Sequence, residues 1–487
     1  MFADYVFEKS SAQYTDNILL LDDEDLNRQA NYINAFSAHG FEIIRYTDDL
    51  DFRIKYEERL KTHGEKLAII ARTNQYIPYD VSKRLISYKI AIENLFPKLN
   101  PEPLKDKSKA DFDLLSAAYK NNFDDFRQKK DTDLYLRTKV YSRSNVEAYL
   151  KRAFASMMEK AAKAKNYNDW FSIAGEKAQI DVMAVQHSID LDTQNINRIF
   201  QEYVLNNFGK LSQNIDKKSP VLVSKAMDYM NEQSEKFIVI VMDGMSEFDW
   251  EVISSGFTDI ICEKTSMFSM IPSTTSVSRQ CLLSGKYPSQ LLEPWKQSKE
   301  KTEFITCAKS LGYTDTQIGY ERGYDAQFGS FVKCGAVIIN DVDDMVHAQT
   351  QGQLGMFNDI TVLANQKKLL EMTKRFLAER YDVYITADHG NTHCTGLGKL
   401  MGTGVEVETK SRRMIVLRNF ADKASLIEKY GLIEYPKYYL PKEYDYLICD
   451  VGDSFDAKGD DVMTHGGITL DEVVVPFIKI KAVQKNG

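Results

Sequence analysis

The stretch that decides the fold is Tyr384-Ile-Thr-Ala-Asp388-His389-Gly390, an apolar run that ends in a carboxylate and an imidazole. Further along the chain, Thr464-His465-Gly-Gly places a second histidine before glycine. Carboxylate oxygens and imidazole nitrogens are common ligands of divalent metal ions in proteins. Each stretch therefore sets a histidine where a chain leaving a strand could hold a metal ion.

Two earlier segments end in the same kind of residue. The apolar run from Ile238 to Met242 ends in Asp243, and the run from Ala336 to Ile339 leads into Asp343-x-x-x-His347. Carboxylates and imidazoles at the ends of several buried strands, together with a hydroxyl at a helix start, make up the constellation of a two-metal hydrolase.

The small number of histidines strengthens this interpretation. The chain has seven, and three of them, His347, His389 and His465, lie in these strand-end contexts. A single histidine is more often a surface or core residue than a ligand. Three histidines joined by aspartates at matching positions favour a metal centre.

Composition limits the class of protein. The 487 residues are 43% hydrophobic and 27% charged, typical of a globular protein of two or three domains. The formal charge of −8 argues against sequence-independent binding to duplex DNA. No secretory signal and no apolar run long enough for a membrane span is visible, and the six cysteines contain no C-x-x-C pair. These features predict a cytoplasmic protein with reduced thiols and no membrane partner.

The chain is predicted to have three parts. Apolar runs at Asn17–Leu21, 41–44 and 67–70 alternate with helical stretches, which predicts a small α/β domain over residues 1–95. Residues 96–232 have few glycines and prolines and carry apolar residues three and four apart, which predicts a helical region. Residues 233–487 contain the strand-end motifs and are predicted to be the catalytic domain.

The third part is predicted to contain a mostly parallel sheet flanked by helices. Its apolar runs do not alternate with polar residues, which is typical of strands buried on both faces. In such sheets ligands bind outside the carboxyl ends of the strands. The predicted strands are 237–242, 317–320, 336–339, 382–387, 414–417 and 473–480, with a long helix at about 355–379.

A nucleophile is predicted from the segment Pro272-Ser-Thr-Thr275. The proline precedes a helix that is predicted to end at Gly285. A hydroxyl at a helix start lies near the positive end of the helix dipole and near free N–H groups that bind phosphate oxygens. Arg279, one turn after Thr275, is expected to face the same side and to contact an anionic substrate.

The region from about 235 to 483 resembles the alkaline phosphatase superfamily and, within it, the PglZ family associated with bacterial phage defence. The resemblance covers about half of the chain and implies an alkaline-phosphatase-like fold. The matching segments are Val-Met-Asp243-Gly-Met, Pro272-Ser-Thr-Thr275 with Ser284-Gly285-Lys-Tyr-Pro288, Asn-Asp-Val-Asp343-Asp-Met-Val-His347, Thr-Ala-Asp388-His389-Gly, and Thr-His465-Gly-Gly with Val-Pro476.

The resemblance implies two divalent metal ions, with zinc favoured and manganese compatible. One ion would be held by Asp243, Asp388 and His389, with Thr275 completing its shell. The other would be held by Asp343, His347 and His465. The implied reaction is in-line attack by Thr275 on a phosphoric ester, followed by hydrolysis of the phosphorylated threonine.

Rival carboxylates near the second site are Asp341 and Asp344. Only Asp343 has the spacing of four residues to His347 that puts both side chains on one helical face.

The substrate class depends on the charge of the phosphate. No second basic residue that could clamp a dianionic phosphate is recognisable, which favours a phosphodiester such as a nucleotide or oligonucleotide over a monoester. Protein partners from a defence or signalling system are also expected.

Two alternatives stay open at this point. The domain could be a non-catalytic, metal-bound scaffold of a defence complex, or it could catalyse another reaction of the superfamily, such as a phosphomonoesterase or phosphomutase reaction. A sulfatase is disfavoured because Thr275-Ser-Val-Ser-Arg279 lacks the proline of the expected Cys/Ser-x-Pro-x-Arg motif.

Overall fold

The computed structural model describes residues 2–26, 32–62, 64–105, 111–120, 122, 124–257, 260, 262–398, 411–418 and 422–481. The chain divides into two compact units, residues 1–152 and 153–487. The boundaries at 95 and 232 stay predictions, and the predicted helical region has residues in both units.

The first unit contains a four-stranded parallel sheet in the order β2-β3-β1-β4. Its strands are β1 (Asn17–Leu21), β2 (Glu42–Arg45), β3 (Leu67–Ala71) and β4 (Ile86–Lys89). Its helices are α1 (Phe2–Lys9), α2 (Ile33–Ala38), α3 (Asp49–Lys61), α4 (Tyr79–Ser82), α5 (Ile92–Leu95), α6 (Pro101–Leu104), α7 (Phe112–Tyr119) and α8 (Lys129–Tyr135). Helix α9 (Arg143–Lys163) contains the point at which the chain divides.

A core cluster joins the sheet of the first unit to α3. Leu19 of β1 and Ile69 of β3 pack with Phe52 and Leu60 of α3. The prediction of a small α/β region at the N-terminus is confirmed, and β4 is a strand that the apolar pattern missed, because its residues are mostly exposed.

The second unit is built on a six-stranded sheet in the order β6-β16-β9-β5-β8-β7. Strands β7, β8, β5 and β9 are parallel to one another, whereas β16 runs antiparallel to both of its neighbours. The strands are β5 (Phe237–Met242), β6 (Glu263–Phe268), β7 (Ile318–Arg322), β8 (Cys334–Ile339), β9 (Asp382–Thr386) and β16 (Val474–Ile480). The predicted mostly parallel sheet is therefore confirmed.

Two smaller sheets accompany the six-stranded sheet, in the orders β14-β10-β15 and β11-β13-β12. Their strands are β10 (Thr392–Gly396), β11 (Met414–Leu417), β12 (Ile433–Glu434), β13 (Asp445–Ile448), β14 (Asp453–Ser454) and β15 (Asp461–Thr464). The predicted strand 414–417 therefore exists, but it belongs to a separate antiparallel sheet, where it pairs with β13.

Helices flank the central sheet. They are α10 (Tyr167–Gln186), α11 (Gln194–Asn207), α12 (Ala226–Gln233), α13 (Glu247–Ser254), α14 (Gln280–Ser284), α15 (Glu300–Ser310), α16 (Asp341–Ala348), α17 (Gly352–Asn365), α18 (Lys368–Ala378), α19 (Lys423–Tyr430) and α20 (Leu470–Val473). All six residues of β5 and of β8 are buried, as expected for central strands covered on both faces. Among the described residues, none of the helices is long and apolar enough to cross a membrane.

The long helix predicted at about 355–379 is two helices instead. Lys367 adopts a φ of 58° between α17 and α18, and this left-handed conformation ends the first helix. The apolar period continues across the break, so the sequence pattern alone predicted one continuous helix.

Candidate active site

The site lies at the carboxyl ends of the three central parallel strands. Strand β5 is followed directly by Asp243, β9 leads into Asp388 and His389, and β8 leads into α16. These strands are neighbours in the order β9-β5-β8. The side chains that follow them therefore meet at one edge of the sheet, where open α/β sheets bind their ligands.

Two further segments reach the same edge. Because β16 is antiparallel to β9, it begins where its neighbour ends, and His465 lies a few residues earlier, between β15 and α20. Strand β6 is also antiparallel to β16 and therefore ends at this edge, and Thr275 follows it.

The first group of ligand atoms consists of Asp243, Asp388 and His389, which we call the inner cluster. All three side chains are buried. The Nε2 atom of His389 lies 3.6 Å from Oδ1 of Asp243 and 3.9 Å from Oδ2 of Asp388. The sequence predicted that these three residues share one metal ion, and the structure brings them together.

The second group consists of Asp343, His347 and His465, which we call the outer cluster. Asp343 lies 3.3 Å from Nε2 of His347, one turn along α16, and 3.4 Å from Nε2 of His465. The side chain of His347 is 39% exposed, so this cluster is more open than the inner one.

A glycine allows the two clusters to approach each other. Gly244 has a φ of +75°, and a Cβ atom at this position would lie 3.3 Å from Cβ of Asp343. The rings of His389 and His465 stack with their centroids 4.1 Å apart. The inner and outer clusters are therefore in contact.

Backbone carbonyls fix the orientation of two imidazoles. Nδ1 of His389 donates to the carbonyl of Gly390 at 2.9 Å, and Nδ1 of His465 donates to the carbonyl of Ser273 at 2.9 Å. Because a carbonyl oxygen only accepts, Nδ1 carries the proton in each ring. Nε2 then keeps a lone pair that points toward the aspartates, which is the usual arrangement of a metal-bound histidine.

The donor atoms fit a pair of divalent ions. Oδ1 of Asp343 and Oδ2 of Asp388 are buried and have no hydrogen-bond partner among the described residues. A buried carboxylate oxygen without a partner is costly. A cation beside these oxygens would compensate them, and a mixed oxygen and nitrogen set suits zinc or manganese.

Burial shifts the pKa values of an aspartate and a histidine of the two clusters in opposite directions, because it disfavours the charged form of each. Burial and the neighbouring charge of Asp388 raise the pKa of Asp243. Burial also lowers the pKa of His465 to about 3, with a contribution from the adjacent His389. Burial opposes ionisation of Asp343, but its hydrogen bond with His347 and the nearby imidazoles hold its pKa below the usual range.

Thr275 is located where its hydroxyl can react. Oγ1 lies 3.1 Å from Nε2 of His389 and donates to Oδ1 of Asp243 at 3.3 Å. Its neighbours in the chain, Thr274 and Ser276, are buried, whereas Thr275 is half-buried. Residues 275–279 form a π-helical turn that leads into α14, and Gly285, with a φ of 70°, ends that helix as predicted.

The sequence predicted that Arg279 faces the same side as Thr275, and its contact with a substrate stays a prediction. Residues 275–279 form a π-helical turn. Oδ1 of Asp243 accepts from the Thr275 hydroxyl, and Oδ2 of the same carboxylate accepts from Arg279. The Arg279 side chain is fully buried, with Nη1 2.5 Å from Asp243 and Nε 2.7 Å from Glu300.

A chain of polar contacts continues beyond Arg279. Glu300 is buried and also accepts hydrogen bonds from the Tyr320 hydroxyl and from the Arg322 guanidinium. Arg279 therefore links Asp243 of the inner cluster to Glu300.

A cavity of about 520 Å³ opens beside both clusters. Its lining residues are Asp243, Thr274, Thr275, Ser276, Trp295, Gln297, Asn340, Asp343, His347, Arg412 and His465. Six of them were not predicted as site residues, namely Thr274, Ser276, Trp295, Gln297, Asn340 and Arg412. Thr274 and Ser276 flank the predicted nucleophile, and Asn340 follows the strand β8 directly, so the rule that ligands bind at strand ends could have found it. Trp295 and Arg412 lie in irregular segments and Gln297 begins a short 3₁₀ helix, without a periodic signal.

The rival residues lie outside both clusters. Among the described residues, neither group of ligand atoms includes Asp341, Asp344 or His393. His393 instead contacts Asp461 of the neighbouring strand β15.

Fold and site together define an alkaline-phosphatase-like domain. Residues 221–480, just over half of the chain, match the family model for the BREX system PglZ alkaline phosphatase-like domain. The chain belongs to the PglZ family.

Solved structures with similar folds were also found. Murine ectonucleotide pyrophosphatase/phosphodiesterase 5 is 12% identical, with a TM-score of 0.35 over 50% of this chain and 87% of that chain. Phosphonoacetate hydrolase from Sinorhizobium meliloti 1021, in complex with phosphonoformate, is 11% identical, with a TM-score of 0.34 over 52% of this chain and 92% of that chain. No curated protein matched.

Proposed function

We propose that this protein is a two-metal phosphodiesterase that hydrolyses nucleotide or oligonucleotide diesters through a covalent intermediate on Thr275. The observation that carries the proposal is the position of the Thr275 hydroxyl, 3.1 Å from His389 and 3.3 Å from Asp243, at the edge of two three-residue ligand clusters. Membership of the PglZ family supports a phosphoric ester hydrolase.

Each cluster would hold one divalent ion. Asp243, Asp388 and His389 would bind the first together with Thr275, and the outer cluster would bind the second. When bound, such ions lower the pKa of a hydroxyl or water and neutralise charge on phosphoryl oxygens. Zinc is the favoured ion and manganese is compatible with the same ligands.

The residues of the chain account for the transfer itself. The Thr275 hydroxyl is directed to Oδ1 of Asp243, which accepts its proton. Attack forms the bond between Oγ1 and phosphorus and breaks the bond from phosphorus to the leaving oxygen, which takes a proton from the solvent and departs as an alcohol. Water then attacks the phosphorus, the bond to Oγ1 breaks, and the threonine hydroxyl and a phosphomonoester are released.

The charge of the cavity favours a diester over a monoester. Among the described residues that line it, Arg412 is the one arginine or lysine, since Arg279 is buried and does not line the cavity. A diester brings a single negative charge and needs less compensation than a dianionic monoester. Phosphomonoesterase activity is therefore the second candidate within the same family.

The cellular setting is part of the proposal. The family model bears the name of the BREX system, which supports a role in phage defence with protein partners of that system. None of the six cysteines, all within the described residues, forms a disulfide, and five are buried, which supports a cytoplasmic location.

Metal analysis combined with a substrate panel tests this function. The purified protein should contain about two zinc or manganese ions, one for each cluster. Chelation should abolish hydrolysis of a nitrophenyl phosphodiester, and added metal should restore it. Phosphomonoester and sulfate ester analogues should be poorer substrates. Absence of bound metal, or no turnover of any ester after metal is added, would move the assignment to a non-catalytic scaffold.

A further inference from the structure

Trp295 and Arg412 form a wall of the cavity and take no part in the bond-making and bond-breaking steps described above. Trp295 lies in the segment between α14 and α15, and Arg412 lies just before β11. Both line the same cavity as Thr275 and the outer cluster. A substrate bound at the clusters therefore shares this space with both side chains.

Trp295 differs from the other two tryptophans of the chain. Trp170 and Trp250 are buried, with 1% and 3% of their surface exposed, whereas Trp295 is half-buried. Its ring lies 6.4 Å from Tyr444 in a perpendicular arrangement and 6.5 Å from Tyr446 in a tilted one. These contacts hold the indole in place while part of it lines the cavity.

Arg412 is held by an ion pair through one nitrogen, while part of its side chain stays exposed. Its Nη1 donates to Asp456 at 2.8 Å, and Asp456 is buried and also accepts from the hydroxyl of Ser454. The Arg412 side chain remains 42% exposed. A guanidinium has five N–H donors, and no other side-chain partner of Arg412 is present among the described residues.

A rigid aromatic face and a cation in one cavity match a ligand that has a planar ring and an anionic group. Bases stack on aromatic side chains, and guanidinium groups form strong, charge-assisted hydrogen bonds with phosphate oxygens. The cavity volume of about 520 Å³ lies within the range of small-ligand sites, about 300–1,000 Å³. Bound metal ions and a bare phosphate would leave much of this volume unfilled.

We propose that Trp295 and Arg412 form a nucleotide subsite, in which the indole stacks on a base of the substrate and Arg412 binds a phosphate oxygen. This inference rests on the proposed function, because it assumes that the ester reaching Thr275 belongs to a nucleotide. It predicts that the protein prefers nucleotide esters to esters of the same charge without a base.

Equilibrium binding separates the base contribution from the phosphate contribution. The metal-loaded Thr275→Ala variant is titrated with adenosine 5′-monophosphate and with ribose 5-phosphate, which share the phosphate and the sugar. The nucleotide should bind more tightly by roughly 5- to 150-fold, the range that corresponds to stacking of one base. It should also quench the fluorescence of Trp295, while ribose 5-phosphate should not.

Variants assign this difference to the two side chains. Trp295→Leu should remove the preference for the nucleotide, and Trp295→Phe should keep most of it. Arg412→Gln should weaken both ligands by a similar factor. Lys296→Gln is the matched control, because Lys296 is exposed, pairs with Glu293 and does not line the cavity; it should change neither affinity. Metal content is measured for every variant.

The outcomes separate this inference from the proposed function. Equal affinity for the two ligands, or an unchanged preference in Trp295→Leu, would overturn the subsite even if the wild-type protein hydrolyses diesters. A preference that depends on Trp295, in a wild-type protein that cleaves no ester, would support the subsite and overturn the proposed hydrolysis.

Discussion

The inner and outer clusters use similar ligands in different surroundings. Every member of the inner cluster is buried, and one of them, Asp243, is held by the buried Arg279. The outer cluster borders the cavity, and its His347 is 39% exposed on a surface helix. The difference indicates that the packing of the sheet fixes the ligands of the inner cluster. A metal ion at the outer cluster would exchange more readily with ions in the solvent.

The contrast also concerns the route by which each cluster is assembled. The inner ligands follow two adjacent parallel strands, so the fold of the sheet alone brings them together. The outer cluster combines a pair of residues on α16 with a histidine that lies far along the chain, before β16. We therefore expect the outer site to lose its ion first during chelation.

Removal of a single ligand should have the largest effect on turnover. Asp343→Ala and His465→Ala should each lose the outer ion and nearly all hydrolysis, while the inner ion stays bound. Asp388→Ala should lose the inner ion. Metal content and turnover are measured for each variant. Because Asp341 and His393 lie outside both clusters, Asp341→Ala and His393→Ala should keep more activity and both ions. If Asp341→Ala were inactive, the carboxylate ligand of the outer ion would be Asp341 and not Asp343.

Arg279→Lys should have a smaller effect, acting through the inner cluster. A lysine keeps the charge but lacks the planar fork of donors with which the guanidinium reaches Asp243 through Nη1 and Glu300 through Nε. Metal affinity should fall by about 10- to 100-fold, as is typical when a residue behind a metal ligand is replaced. Excess metal should restore kcat with little change in KM.

Arg322→Lys is the control for this change, because Arg322 also contacts Glu300 but is 48% exposed. It should reduce metal affinity less than Arg279→Lys does. If Arg279→Lys instead raised KM and left metal affinity unchanged, Arg279 would contact the substrate after all.

The smallest effect is on the pH dependence of stability in the metal-free protein. His465 has a pKa of about 3 in the folded state and about 6.5 when unfolded. Between these values the unfolded chain binds the extra proton, so the free energy of unfolding falls as the pH falls from about 6.5 toward 3. His465→Gln should flatten this slope in chemical denaturation at several pH values.

Asp243 of the inner cluster should change the free energy of unfolding with pH in the opposite direction. Because the pKa of Asp243 is raised in the fold, the folded state binds the extra proton, and stability falls as the pH rises above the unfolded pKa of about 3.8. Asp243→Asn should flatten that slope. Equal slopes in wild type and both variants would contradict the assigned environments.

Much of the site could be predicted from the sequence because ligands of parallel sheets bind at the carboxyl ends of the strands. Unbroken apolar runs such as Phe237–Met242 are detectable because central parallel strands are buried on both faces, and the residues that follow them must meet at one edge. The same rule indicated Asp388 and His389 after β9. The N-terminal sheet was predicted from runs of the same kind.

The rest of the site depends on tertiary structure. Arg279 is buried between Asp243 and Glu300, which are distant from it in sequence, so no residue pattern indicated its ion pairs. Trp295 and Arg412 lie in irregular segments that are distant in sequence, so only the folded chain brings them to one cavity. Strand β11 was detected as a strand, but its sheet was not, because an apolar run does not specify its partner.

The most direct test of the central claim is the turnover of a nitrophenyl phosphodiester by Thr275→Ala, with metal content measured in parallel. The variant should keep its fold, since no capping hydrogen bond is lost, and both ions, since the other ligands remain. It should lose hydrolysis by orders of magnitude, because the covalent route requires Oγ1. Thr274→Ala should remain far more active, since the one hydrogen bond of the Thr274 hydroxyl within the described part of the chain is to Ser276 and reaches neither cluster. Equal turnover in wild type and Thr275→Ala would contradict the account.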